Sequence, residues 1–260
     1  NDMVAEIIGK TAIVTGVSRG IGVHIVNALT RKGVNVLGIA RSEDGMKATA
    51  EKVKENLGTF EYHAIDLSRT AKLSEFYNSF ENREIDYLVN NAGIEIYRDF
   101  ENYDLGEMEK IIRVNLLGPM ELTRLFLPKI KERKGHIVNI GSVAGSYPYE
   151  GGNVYGGTKA FVKQFSLGLK SDLLGTKVKI TNVEPGMADT EFSLVRFSGN
   201  KKKANDVYKK MTPLYGVDIA ETILWSVNRP SHVNINRIEI MPLQQGFNFF
   251  AISRTGKIKK

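Results

Sequence analysis

A tyrosine and a lysine spaced four residues apart form the pair in this sequence best suited to proton transfer. Tyr155 and Lys159 stand in Tyr-Gly-Gly-Thr-Lys at the start of a predicted helix, so both side chains fall on one face of it. A phenol with a pKa of about 10 is a weak acid/base at neutral pH, but a neighbouring ammonium favours the phenolate and lowers that pKa. The pair therefore predicts a general acid/base. An ordinary surface pair on a helix is the alternative interpretation.

Two further polar residues lie where chemistry needs them. Ser142 follows an apolar run that ends at Ile140, so we expect it at the carboxyl edge of a sheet, where ligands bind in open α/β folds. Its hydroxyl can donate to a developing alkoxide; a serine that caps a turn is the alternative. Asn115 lies in an apolar helical stretch, and a buried amide there either bonds the backbone or holds a water.

Three glycines between the first predicted strand and its helix predict a phosphate-binding turn. They are Gly16, Gly20 and Gly22, and the residues between them include Ser18, Arg19 and Ile21. Glycine permits positive φ and close backbone approach to a diphosphate, and the following helix offers free N–H groups to the anion. The G-x3-G-x-G spacing differs from the better known G-x-G-x-x-G. A purely structural tight turn is the alternative.

The end of the second predicted strand indicates which dinucleotide this turn would bind. NAD enzymes place an acidic residue about twenty residues beyond the turn to bind the ribose 2′-hydroxyl. Here the strand ends in Ala40-Arg41-Ser42 and carries no acid at this point. A guanidinium grips a 2′-phosphate through two parallel hydrogen bonds. Arg41, together with Arg19 in the turn, favours NADP; singly, each would be an ordinary solvated side chain.

These residues need an alternation of strands and helices to bring them together. β-Branched runs predict strands over 11–15, 34–40, 61–65, 85–90, 136–140, 178–183 and 237–241. Amphipathic segments predict helices over 21–32, 45–56, 70–80, 108–131, 154–174 and 219–227, the fourth bent or broken at Gly118-Pro119. The alternation predicts a single-domain α/β fold over 1–260, with a Rossmann-type doubly wound parallel sheet and helices on both faces. A polar stretch within about 190–215 predicts a lid or insertion, and a basic tail ends the chain.

Composition excludes several classes of function. The 260 residues contain no cysteine, which removes disulfides, thiolate catalysis and cysteine-ligated metals, and the four histidines lack metal-ligand spacing. We expect no metal, no membrane span, no secretory signal and a cytoplasmic protein. The net charge of +7 comes with no nucleic-acid reader motif. We interpret it as solvated surface that would also attract an anionic cofactor or an acidic substrate.

Taken together, these motifs resemble the short-chain dehydrogenase/reductase family over essentially the whole chain. The resemblance is carried by Thr15–Gly22, Asn90–Gly93, Asn115, Ser142, Tyr155, Lys159 and Pro185-Gly186. It implies an NADP(H)-dependent oxidoreductase acting on CH–OH groups. In the implied tetrad, Tyr155 exchanges the proton and Ser142 orients the substrate oxygen. Lys159 binds the nicotinamide ribose and tunes the tyrosine, while Asn115 orders a water in the proton relay.

The resemblance also implies cofactor contacts outside the glycine turn. It places Asp66-Leu67 beside the adenine and the backbone after Pro185 at the carboxamide. Tyr155, Lys159 and the glycine turn are part of the implied cofactor site. The other cofactor contacts that the resemblance implies are Arg41, Ser42, Asp66, Leu67, Asn91, Ala92, Gly93, Pro185, Gly186, Met187 and Thr190.

A closer similarity is to the bacterial NADP-dependent 3-hydroxy acid (serine 3-) dehydrogenases. It rests on 145–155, 183–186, 190–193, 195–197 and 232–236. It implies a homotetramer that oxidises serine, allo-threonine or 3-hydroxyisobutyrate, or reduces malonic semialdehyde. A substrate carboxylate needs a cation, for which Arg196 is the candidate, with Tyr149 as a second contact; an ordinary surface arginine is the alternative. The stretch Met187–Asp189 and the tail over 247–260 differ from what this similarity leads us to expect.

Two other functions fit the same motifs. The chemistry is unchanged if the substrate is instead a carbonyl compound or a carrier-bound 3-oxoacyl group, and the basic surface allows a carrier. A dinucleotide-binding protein without turnover belongs to another class. An incomplete tetrad would favour it, whereas all four residues are present.

Overall fold

Short runs of β-branched and other apolar residues form the seven strands of one parallel sheet. The structure is a computed structural model and describes residues 7–80, 82–191, 199–200, 202, 206–248, 251–256 and 258. The sheet strands are β1 (Thr11–Thr15), β2 (Asn35–Ala40), β3 (Phe60–Ala64), β4 (Tyr87–Asn90), β5 (His136–Ile140), β6 (Lys179–Pro185) and β9 (Arg237–Ile240). A separate two-stranded ladder pairs β7 (Ala188–Asp189) with β8 (Leu214–Tyr215).

The strand order creates the crevice that a ligand would use. Across the sheet it is β3-β2-β1-β4-β5-β6-β9, with every neighbouring pair parallel. The chain therefore builds outward from β1 in one direction and from β4 in the other. A crevice opens at the carboxyl ends of these two strands, where the connections diverge. The predicted doubly wound fold is confirmed.

Helices cover both faces of the sheet in the described part of the chain. They are α1 (Ile21–Arg31), α2 (Glu43–Val53), α3 (Thr70–Ser79), α4 (Leu105–Ile112), α5 (Gly118–Glu132), α6 (Asn153–Asp172) and α7 (Gly216–Val227). One apolar core includes Leu29 of α1 and Ile223 of α7, and the other includes Phe76 of α3 and Phe126 of α5. Burying each such side chain contributes about 2 kcal/mol. The two cores hold the strand ends rigidly in place.

The helix predicted over 108–131 is two helices joined by a π-helical turn. The turn spans Arg113–Leu117, and the Gly118 N–H bonds the Arg113 carbonyl five residues back. Pro119 then lies in the first turn of α5, where the missing N–H costs no hydrogen bond. The irregularity expected at Gly118-Pro119 thus falls immediately before it. The other predicted elements match within three residues, and the β7–β8 ladder was not predicted.

The described residues lack two features that whole classes of function require. None of their helices combines the length and apolar character needed to cross a membrane. They also contain no group of three or more histidine, aspartate or glutamate side chains placed to hold a metal ion.

Candidate active site

The carboxyl ends of the strands surround a cleft of about 530 Å³. Ser142, Tyr155 and Lys159 line it, together with every cofactor-binding residue predicted from the sequence except Gly22. The fold thus gathers residues at the carboxyl ends of β1 to β6 into one cavity of a size that suits a small-molecule ligand.

The glycine turn between β1 and α1 forms one wall. Gly16 and Gly20 adopt φ of +75° and +57°, a region that other residues rarely enter. Gly22 does not line the cleft, because its Cα faces the turn itself. A Cβ there would overlap the Gly16 carbonyl oxygen. Gly22 therefore lets the turn close, while Gly16 and Gly20 face the cavity.

An anionic group already occupies the end of α1. The Gly20 N–H donates to Oε2 of Glu191 at 3.0 Å, although α1 has no acidic residue in its own first turn. The positive end of a helix favours such negative charge. The turn therefore has the donors and the backbone geometry that a diphosphate requires.

Positive charge lies at the far end of the cleft, beyond β2. Arg19 and Arg41 line the cavity and are exposed, and neither forms a salt bridge to a described residue. Ser42 lines the cleft and also caps α2, its hydroxyl accepting from the Gly45 N–H at 3.2 Å. β2 itself ends in Ala40, so no carboxylate of this strand neutralises the two guanidinium groups.

A carboxylate at the end of β3 stays ionised beside this charge. Asp66 accepts from the Ser68 N–H at 2.9 Å. Burial raises the pKa of Asp66, but the Ser68 hydrogen bond and the charges of Arg41 and Arg69 lower it more, so the net pKa lies below the ordinary value. Asp66 is thus a hydrogen-bond acceptor at the place where the family resemblance puts the adenine.

The loop after β4 is hydrogen-bonded to the end of β1. The Thr15 hydroxyl accepts from the backbone N–H groups of Asn91 and Ala92, at 3.0 and 2.9 Å. The Asn91 amide donates back to the Thr15 carbonyl at 2.9 Å. These bonds cross the point where the connections diverge, so they fix the middle of the cleft floor.

Tyr155 and Lys159 lie on one face of α6, as their spacing predicts. Both are buried, and the Lys159 Nζ stands 5.6 Å from the centre of the Tyr155 ring. The ammonium also donates to the Ile140 carbonyl at 2.7 Å, at the end of β5. A Cβ at Gly93 would be 3.5 Å from Nζ, so the β4 loop passes close to the buried ammonium.

Ser142 caps a turn, which is one of its two predicted alternatives. Its hydroxyl oxygen accepts from the Ala144 N–H at 3.1 Å, which caps the short 3-10 turn Val143–Gly145. That bond uses the oxygen as an acceptor. The hydroxyl proton donates to no described residue, so it can bond an oxygen in the cleft.

Asn115 lies in the π-helical turn and bonds backbone, one of its two predicted alternatives. Its Oδ1 accepts from the Ile94 N–H and its Nδ2 donates to the Ile94 carbonyl, both at 2.9 Å. Nδ2 also donates to the Thr158 hydroxyl at 3.1 Å. Asn115 does not line the cleft; it ties the β4 loop to α6 from behind.

Comparison with known proteins decides the family. A family model described as short chain dehydrogenase matches residues 10–200. The chain belongs to this family. The similarity found in the sequence motifs is thereby confirmed.

Three relatives of this short-chain dehydrogenase cover almost its whole length. Serine 3-dehydrogenase of Agrobacterium fabrum is 39% identical, over 94% of this chain and 98% of the relative. NADP-dependent 3-hydroxy acid dehydrogenase YdfG of Escherichia coli (strain K12) is 41% identical, over 90% and 96%. The closed form of a serine dehydrogenase complexed with NADP+ superposes with a TM-score of 0.85 at 39% identity, over 91% of this chain and 96% of that one.

Two effects act in opposite directions on the pKa of Lys159 in this dehydrogenase. Burial lowers the pKa of Lys159 to about 8, and the negative charge of Glu95 offsets part of that effect. The ammonium therefore still carries its charge at neutral pH. Glu95 is fully buried. Sequence reasoning missed it, and a lone acid between Ile94 and Ile96 in the β4 loop was the available signal.

Of the two residues predicted to bind only the substrate, Tyr149 is described by the structure and Arg196 is not. The Tyr149 hydroxyl donates to Glu95, so its described contact is to the protein. Arg196 lies outside the described residues, as does all of 192–198. In the described part of the predicted lid, Val207 and Tyr208 line the cleft, and the Tyr208 hydroxyl donates to the Ala188 carbonyl at 2.6 Å.

Proposed function

We propose that this short-chain dehydrogenase transfers a hydride between NADP(H) and the carbinol carbon of a small 3-hydroxy acid. Serine, allo-threonine and 3-hydroxyisobutyrate are the expected alcohols, and malonic semialdehyde is the expected carbonyl substrate. One observation carries the proposal: Ser142, Tyr155 and Lys159 line the same cleft as Arg19 and Arg41. The names of the relatives that are 39% and 41% identical support the substrate class and the cofactor.

The residues of the cleft fit NADP(H). The glycine turn would hold the diphosphate, Arg19 and Arg41 the 2′-phosphate, and Asp66 the adenine. Lys159 would bond the nicotinamide ribose, and the backbone after Pro185 the carboxamide. Bound NADP(H) supplies the hydride acceptor or donor at its nicotinamide ring.

Tyr155 moves the proton. In the oxidation direction its phenolate accepts the proton of the substrate hydroxyl, and in reduction its phenol returns that proton to the carbonyl oxygen. The Ser142 hydroxyl donates to the same oxygen, which fixes its position and stabilises developing negative charge. The Lys159 ammonium, 5.6 Å from the Tyr155 ring centre, stabilises the phenolate. Asn115 positions the Ile94 backbone, and the water attributed to it stays a prediction.

A substrate panel tests this function. Purified protein is expected to reduce NADP with serine, allo-threonine and 3-hydroxyisobutyrate, and to consume NADPH with malonic semialdehyde. Tyr155→Phe is expected to lower kcat at least about a thousandfold, with the Kd for NADPH unchanged. Turnover confined to carbonyl or 3-oxoacyl substrates would identify another reductase of the family. NADPH binding without turnover of any substrate would overturn the enzymatic assignment.

The substrate carboxylate is assigned to Arg196, with Tyr149 as a second contact and the segment within about 190–215 as a lid. A cation is required there because a buried carboxylate without a partner is costly. Arg196→Ala is expected to raise the KM for hydroxy acids at least about tenfold. An unchanged KM would exclude Arg196.

The assembly is assigned as a cytoplasmic homotetramer. Large apolar side chains are exposed on the helices, and β9 is an edge strand of the sheet. The exposed side chains include Leu105, Ile112, Phe161, Leu167 and Trp225. Such surface favours self-association. Light scattering during size-exclusion chromatography is expected to give four times the 29.0 kDa chain mass; the monomer mass would refute this.

A further inference from the structure

The chain beyond β9 folds back on itself next to the cleft. We call residues 242–248 and 251–256 the C-terminal strap. Within it, the Gly246 N–H donates to the Ala251 carbonyl at 2.7 Å, and the Ser253 N–H donates to the Gln244 carbonyl at 2.9 Å. An antiparallel bridge joins Gln245 to Ile252. These bonds give the strap a defined shape.

Gln245 connects the strap to a wall of the cleft. Its side chain is buried, and its Oε1 accepts from the Met187 N–H at 2.9 Å. A Cβ at the preceding Gly186 would overlap this same oxygen, so only glycine lets the amide approach. Gly186 and Met187 both line the cleft. The glutamine therefore fixes the backbone of that wall directly.

Gln244 and Arg254 connect the strap to a second wall. The Gln244 Oε1 accepts from the Thr212 N–H at 2.8 Å, and its Nε2 donates to two strap carbonyls, those of Ser253 and Gly256. The Arg254 guanidinium donates to the Lys209 carbonyl at 2.6 Å and to the Val207 carbonyl at 3.3 Å. Val207 lines the cleft, so these bonds fix the backbone beside it.

The two walls are also bonded to each other. The Leu214 N–H donates to the Met187 carbonyl at 2.9 Å, where β7 and β8 pair. The Gln245 acceptor and the Leu214 donor thus hold Met187 through both of its backbone polar groups. Removing the buried acceptor would leave the Met187 N–H without its partner, which favours a displaced backbone.

We propose that Gln245, supported by Gln244 and Arg254, is a positioning residue for the nicotinamide half of the cofactor site. It holds the Met187 backbone where it can meet the carboxamide. This inference rests on the NADP(H) function proposed above. The adenosine half is built by the ends of β1, β2 and β3, whose backbone the sheet itself holds. Loss of Gln245 therefore weakens one half of the site and spares the other.

Gln245→Met tests this division. The substitution keeps a flexible side chain of similar length but removes the acceptor. The Kd for NADPH is expected to rise about tenfold, while the Kd for 2′-phospho-ADP-ribose, which lacks nicotinamide, changes by less than about twofold. Hydrogen exchange of the Met187 amide is expected to accelerate. Leu243→Ala is the matched control, because Leu243 lies in the same strap and is exposed; it keeps wild-type values.

The other possible outcomes of these measurements each bear on one part of the proposal. An unchanged NADPH Kd, or equal weakening of both ligands, would overturn the positioning role. If Gln245→Met does not fold, Arg254→Ala decides, because Arg254 is exposed. Faster exchange at the amides of residues 207–210 with a raised NADPH Kd supports the strap, and wild-type values overturn it. A wild-type protein that binds neither ligand would instead refute the NADP(H) function itself.

Discussion

At the scale of single residues, the proposed preference for NADP over NAD rests on a few charges at the far end of the cleft. Arg41 lines that end and lowers the pKa of Asp66 through its charge, without forming a salt bridge to a described residue. An arginine beside an anion-binding cleft without a salt-bridge partner is available for a phosphate. Replacing Arg41 therefore tests the proposed cofactor choice with no loss of a salt bridge to a described residue.

Arg41→Asp is expected to lower the affinity for NADPH about a hundredfold and to raise that for NADH. The change removes a guanidinium, whose hydrogen bonds to a phosphate are worth about 2–3 kcal/mol, and places a like charge near the 2′-phosphate. Fluorescence titration with both cofactors measures the ratio of the two Kd values. Lys47→Asp, at an exposed position of α2, controls for the change in net charge. An unchanged ratio for Arg41→Asp would remove this arginine from cofactor selection.

Lys159 makes the folded protein less stable at neutral pH than it would be without a buried charge. Burial lowers the pKa of Lys159 to about 8, from 10.5 for an unburied lysine. Between these values the unfolded chain binds a proton that the folded protein does not, so stability rises with pH across this window. Below pH 8 both states are protonated and the folded state carries the whole cost of the buried ammonium.

The comparison with Lys159→Met isolates this effect. The unfolding free energy of the wild type, relative to the variant, is expected to increase by about 2 kcal/mol from pH 7.5 to 9.5. Urea denaturation of both proteins without cofactor at the two pH values measures it, and titrations of groups that do not interact with Lys159 cancel in the difference. A difference that stays constant with pH would show that the ammonium is not buried in solution.

At the scale of elements, the turn between β1 and α1 tolerates no side chain at its third glycine. Gly22→Ala is expected to cost at least about 3 kcal/mol of unfolding free energy, because the new Cβ would overlap the Gly16 carbonyl oxygen. Gly168→Ala is the matched control, since a Cβ there meets nothing within 4 Å inside α6. It is expected to stabilise the protein by about 0.5–1 kcal/mol. Thermal and urea denaturation decide; equal effects of the two substitutions would contradict this account of the turn.

Local pattern predicted most of the elements, because strands and helices depend on residue order. It also placed Tyr155 and Lys159 together, since their spacing is a property of a single helix. Local pattern did not predict contacts between residues that are far apart in the sequence. The hydrogen bonds of Asn115 to Ile94 and of Gln245 to Met187 form only because the fold brings these residues together. No pattern of neighbouring residues predicts them. The π-helical turn that carries Asn115 escaped it for the same reason, since no residue pattern in 113–117 marks it.

At the scale of the whole molecule, the parallel sheet separates function from stability along the strands. The carboxyl ends carry the cleft, whereas the first residues of β5 and β6 bury polar groups that no proposed step uses. His136 begins β5 and is fully buried, and its Nε2 lies 2.7 Å from the Thr181 hydroxyl of β6. Its Nδ1 has no partner among the described residues. Such a group makes the stability of the whole sheet depend on pH.

The acid limit of the fold is expected to depend on this histidine. Burial, and then the charges of Lys179 and Lys170, lower the pKa of His136 to about 3, from 6.5 for an unburied ring. Between these pH values His136 binds a proton in the unfolded chain but not in the folded protein. The unfolding free energy therefore falls as the pH drops below 6.5. Relative to His136→Val, the wild type is expected to lose about 2 kcal/mol of unfolding free energy between pH 6.5 and 4.5.

The Thr181 hydroxyl keeps its bond to the Ile235 carbonyl in the His136→Val variant, so no buried donor loses its partner. His232→Val removes an exposed ring and is the control. Urea denaturation across this pH range measures the effect. If the wild type and His136→Val lose the same unfolding free energy, groups other than His136 set the acid stability of the fold.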